Sequence, residues 1–150
     1  VKRSTRNKVL IWIIVLGLVN FAVYTVFYWY LQGDARNGFI ERGEYFLRGH
    51  FIRLPQGRVS APVSRATWIY SYIHSISIWP TIGAVLLSML WLARPHIIAT
   101  MKTDSLVSGK NFVNLCGAIV AVVTLASTGL FVLHLMQALG AAAAGRDFGL

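Results

Sequence analysis

Three long apolar runs punctuate this chain, at about residues 9–31, 67–93 and 112–139. A helix needs about 20 predominantly apolar residues to cross a hydrocarbon core roughly 30 Å thick, and each run is long enough. The expected fold class is an all-α integral membrane protein with three transmembrane helices. The remaining chain falls into an ordered extracytoplasmic loop over 32–66 and an inner loop over 94–111. Composition agrees: 56% of residues are hydrophobic and the mean hydropathy is +0.61, against about 45–50% apolar residues in soluble domains. The 150 residues suit a single membrane domain.

The first run begins like a signal peptide, with basic residues before apolar ones in "VKRSTRNKVLIWIIVLGLVN". Its apolar part continues to Leu31, past the roughly 7–15 residues of a signal core, and no A-x-A pattern follows it. It therefore reads as an uncleaved first span. Trp12 marks one interface, and Tyr24, Tyr28, Trp29 and Tyr30 crowd the other, as amphipathic aromatics do at headgroup level.

The formal net charge is +9. The cations sit in short segments flanking the apolar runs, where lipid phosphates and topology account for them. No basic helix or motif points to nucleic acid. The cations split seven to seven between the two sides of the membrane: Lys2, Arg3, Arg6, Lys8, Arg94, Lys102 and Lys110 on one, the six first-loop arginines and Arg146 on the other. Charge before the first helix usually dominates, and all four lysines share its side. The expected orientation is N-terminus in the cytoplasm, in a bacterial inner membrane. The lone cysteine, Cys116, excludes an intrachain disulfide.

The first loop is not linker-like. It carries Asp34, Glu41, Glu44 and the arginines 36, 42, 48, 53, 58 and 65 among bulky apolar residues. "GEYFLRGHFIRLP" contains two short apolar runs around Arg48-Gly49, which fit either a small hairpin or an interfacial helix. Glu41 and Glu44, spaced one helical turn apart and flanked by arginines, are expected to form salt bridges rather than to do acid–base chemistry. His50 is expected to face lipid or a partner, and His96, beside the helix-stopping Pro95, to be interfacial.

The second run holds the most polar stretch inside any span, "WIYSYIHSISIWPT". On a helix with about 100° per residue, Thr67, Tyr70, Ser71, His74, Ser77, Thr81 and Ser88 fall on one side. Polar groups in hydrocarbon need partners, so this stripe is expected to face protein. Pro80 should bend the helix near Ile76, with nearby serine hydroxyls serving the freed carbonyl. The third run carries His134 and a close-packing face of Gly117, Ala121, Thr124 and Thr128. Asn20 in the first run suits an interhelical hydrogen bond.

His74 lies 20 residues before Arg94, and His134 lies 22 residues after Phe112. At 1.5 Å per residue these are paths of about 30 and 33 Å from the same face, so both histidines should reach the same depth. They are candidate axial ligands of a b-type haem, with Arg65 and Arg58 placed to meet its propionates. A chlorophyll-type pigment fits less well, because Tyr70 and Leu130 occupy the positions four before each histidine, where antenna proteins carry alanine. The plainer reading is that both histidines hold helices together.

The leading functional expectation is a small accessory subunit of a larger membrane complex, respiratory or photosynthetic, and not an enzyme on its own. Its polar stripe and small-residue face offer more surface than three helices consume among themselves. The alternatives are a haem- or pigment-binding electron-transport subunit that reacts with quinone, and a membrane sensor or scaffold. Three spans without an acidic residue leave little for ion coupling.

Overall fold

The computed structural model describes residues 3–49, 61–101 and 107–149. It is mostly helical: α1 is Arg3–Tyr30, α2 Arg65–Thr100 and α3 Gly109–Ala143, with a two-stranded antiparallel sheet of β1, Asp34–Glu41, and β2, Glu44–Arg48, between α1 and α2. All three helices are long and apolar enough to cross a membrane. The all-α expectation is thus corrected in one place, the ordered first loop, which contains a hairpin.

The hairpin turns at Arg42-Gly43, where Glu41 faces Glu44, and not at Arg48-Gly49. Both turn residues have positive φ, 51° and 81°. That combination matches the right-handed twist of the strands, and the glycine adopts it without strain. Arg48-Gly49 instead ends β2, closely facing Gln32 and Gly33 after α1.

Helix ends explain why the chain leaves each helix where it does. At the end of α1, Gly33 N–H donates to the Tyr28 carbonyl at 2.9 Å and Gln32 N–H to Trp29 at 3.3 Å, with Gln32 left-handed at φ 58°. This is a Schellman closure, which satisfies carbonyls the helix leaves open. The end of α3 repeats it: Arg146 donates to Ala141 at 2.9 Å and Gly145 to Ala142 at 3.1 Å. At the start of α2, Ser64 Oγ accepts the Thr67 N–H at 3.1 Å as an N-cap.

α2 runs on through Pro95 to Thr100, past the expected stop at Arg94. Proline biases its predecessor away from helix without forbidding it, and its own φ suits one. His96 consequently sits on a helix, its carbonyl accepting from Thr100 Oγ1 at 2.9 Å.

The chain divides into two compact units, Val1–Asn20 with Trp79–Ser127, and Phe21–Ile78 with Thr128–Leu150. In the first unit helices approach through small residues. A β-carbon on Gly83 would overlap Thr124, one on Gly17 would overlap Val85, and Gly117 faces Leu87 and Leu90. Asn20 Nδ2 donates to Thr81 Oγ1 at 3.0 Å.

The second unit holds the best-packed interior. Ala35, Ile40 and Leu47 of the hairpin pack with Trp68 and Tyr72 of α2 and Ala138 of α3, all at most 3% exposed. Among the described residues, each sheet edge is met by a single bridge. Ile40 and Phe148 exchange backbone hydrogen bonds at 2.8 and 2.9 Å, and Val63 N–H donates to Tyr45 at 2.8 Å. Residues paired in this way are not open to strands from other chains.

Candidate functional site

The second unit is organised around Asp34, a carboxylate only 5% exposed. It follows the α1 closure and starts β1, so it points back into the helices. Its Oδ2 accepts from Tyr24 Oη at 2.8 Å and from Ser75 Oγ at 3.3 Å. Its Oδ1 accepts from the Asn37 backbone N–H at 3.0 Å and from Asn37 Nδ2 at 2.8 Å. The Asn37 contacts are local, a carboxylate holding the backbone and side chain three residues on, which the "DARN" sequence allows. Next to it, Ala35 N–H donates to buried Ser71 Oγ at 3.1 Å. One carboxylate therefore ties α1, α2 and the hairpin together. A buried charge is tolerable only when hydrogen-bonded in this way.

A second constellation lies around His134. Its Nδ1 shares a hydrogen bond with Tyr72 Oη, the two rings lie 25° from parallel with centroids 6.0 Å apart, and Phe148 meets the imidazole edge-on at 5.0 Å. The Arg36 guanidinium lies 4.6 Å above the Phe131 ring, a cation–π contact.

His74 is placed elsewhere. Its ring packs against Tyr24, Tyr70 and Phe27, with centroids at 5.5, 5.7 and 6.3 Å. The cleft that it lines with Tyr28, Asp34 and Ser71 encloses about 10 Å³, the space one water needs. Tyr72 and His74 are two residues apart, about 200° around α2. The helix therefore presents His74 to α1 and Tyr72 to α3, and the two histidines have separate neighbours. The ring contacts of the two histidines do not overlap.

The other expected residues distribute as follows. Arg65 opens α2 and is exposed; Arg58 and His50 lie outside the described residues. Glu41 and Glu44 face each other across the hairpin turn rather than along a helix. Arg42 Nε stands 3.9 Å from Glu41, both well exposed, a pair worth little in water. Part of the stripe on α2 faces protein of this chain: Ser71 Oγ accepts the Ala35 N–H at 3.1 Å and Thr81 Oγ1 accepts from Asn20 Nδ2 at 3.0 Å, whereas Tyr70 is exposed.

Sequence reasoning passed over Asp34, Tyr24, Tyr72 and Ser75. Tyr24 reads as an interface aromatic and Asp34 as one acid in a basic loop. The one available signal was "DARN" directly after a helix end, which marks a carboxylate held by its own turn. Tyr72 carries no local signal, because its partner is 62 positions away.

No protein-family model matches this chain, and comparison with curated proteins and with solved structures likewise found no significant match.

Proposed function

We propose that this protein is a small accessory subunit of a larger membrane assembly, of the energy-converting kind, that braces partner helices. In this reading the helices span a bacterial inner membrane with the N-terminus in the cytoplasm, and the hairpin lies outside. The supporting observation is the exposure of α3. None of its most apolar 18 residues is buried, yet Asn114 and Gln137 are exposed along it. Gly129 and Gly140 have open space where a side chain would be. Amides in a lipid-facing helix seek protein partners, and glycines admit a second helix closely. On α2, by contrast, the Ser71 and Ser75 hydroxyls bond to the hairpin of this same chain.

The test is extraction of the native protein in mild detergent, followed by sizing and identification of what co-purifies. A stable set of larger membrane subunits, lost with Asn114→Leu and Gln137→Leu together, is the expected result. A monodisperse particle of this chain alone from native membranes overturns the reading. An absorbance spectrum of the same sample reports whether the assembly carries haem or pigment. A Soret band that disappears with His74→Ala would support the ligand role.

A further inference from the structure

The first unit contains a cleft of about 290 Å³ lined by Arg3, Arg6, Trp91, Arg94, Pro95 and Ile98. We propose that it is a binding site for the phosphate headgroup of an anionic membrane lipid. The site does not depend on the accessory role argued above.

Charge is the first argument. Three arginines from two helices line one cleft, and no acid is among its lining residues in the described chain. Arg3 and Arg6 are one turn apart on α1, so they share a face. Like charges gathered without a counterion repel, and guanidinium groups bind phosphate oxygens through paired, charge-assisted hydrogen bonds.

Desolvation is the second. Arg6 Nε is buried and has no hydrogen-bond partner among the described residues. A buried donor without an acceptor is costly, and turning this guanidinium toward an anion in the cleft removes that cost.

Position is the third. Arg6 stands just before the apolar run of α1, and Arg94 just after that of α2, so both lie at headgroup level. The Arg94 guanidinium sits 5.2 Å from the Trp91 ring, and tryptophan favours that level too. The walls formed by Trp91, Pro95 and Ile98 suit the glycerol and first methylenes of a lipid. The cleft holds about ten times the roughly 30 Å³ share of one water molecule, which fits a headgroup better than a simple ion.

The experiment uses the full chain in detergent, titrated with phosphatidylglycerol or phosphatidylcholine and read by native mass spectrometry. One phosphatidylglycerol is expected to be retained at least tenfold more tightly than phosphatidylcholine. Arg6→Gln and Arg94→Gln should each reduce retention several-fold, and both together should abolish the preference. Arg42→Gln, in the hairpin turn, should leave it unchanged. Near-ultraviolet circular dichroism confirms that the variants are folded. Equal retention of both lipids, or an unchanged preference in the folded double variant, overturns the proposal. So does saturation by millimolar inorganic phosphate that excludes the lipid, which would mark a site for the free anion.

Discussion

At the scale of single residues, Asp34 bears the largest consequence. Replacing it with alanine leaves the part-buried Tyr24 hydroxyl and two Asn37 donors without their acceptor, while the Ser75 hydroxyl keeps the Ser71 carbonyl. Unsatisfied buried polar groups cost about 1–3 kcal/mol each. Asp34→Ala is expected to lower unfolding stability by about 3 kcal/mol in all, seen as a lower midpoint in a denaturant titration of the detergent-solubilised protein. A midpoint like that of the parent would mean that water replaces the carboxylate. The Tyr72–His134 hydrogen bond joins α2 to α3. Side-chain hydrogen bonds within membranes average about 0.6 kcal/mol and reach about 1.7. A double-mutant cycle of Tyr72→Phe and His134→Phe should return a coupling of about 1 kcal/mol. A coupling near zero would remove this bond from the forces holding the helices.

At the scale of elements, the three helices were legible because an apolar run of membrane length admits few alternatives. Their ends were less so. The expected end of the second span at Arg94 fell short of Thr100, since a proline only biases its neighbour. The hairpin was half legible. "RG" occurs twice, at Arg42-Gly43 and Arg48-Gly49, and the apolar residues around the second made it the more attractive turn. What selects the first is pairing with residues 34–41, which follow the α1 closure, and that pairing has no local mark. The close approach of Gly83 to Thr124 offers a test of how the first unit packs. Gly83→Ala should destabilise the protein by about 1–3 kcal/mol through overpacking, and adding Thr124→Ala should restore much of the loss. Thermal unfolding of the three variants measures both effects. Failure of the second substitution to rescue would show that Gly83 matters for another reason.

For the whole molecule, the candidate site was legible only in part. His74 and His134 stood out as polar residues in apolar runs, and depth suggested a shared role. Depth counts residues along an axis and is blind to direction around it. The extra 200° between Tyr72 and His74 separates their surroundings. Orientation is open to direct measurement. In a Cys116→Ser background, Arg42→Cys is expected to react with a membrane-impermeant thiol reagent applied to intact cells. Lys110→Cys is expected to react only after the cells are opened. The opposite pattern would put the hairpin in the cytoplasm and favour a sensor or scaffold role.

The backbone exchange between Ile40 and Phe148 also sets a schedule. Nearby, the Arg42 N–H donates to Asp147 across 105 positions of sequence. Chains elongate at about 5–20 residues per second, so the partner of this edge arrives roughly 5–20 s after the edge itself. Throughout that interval the hairpin is synthesised but its outer rim is open, a template for any passing strand. The second unit is thus closed at this edge by the segment that follows α3. Of the two strands, β1 is the one whose outer edge pairs last during synthesis, when the segment after α3 reaches Ile40.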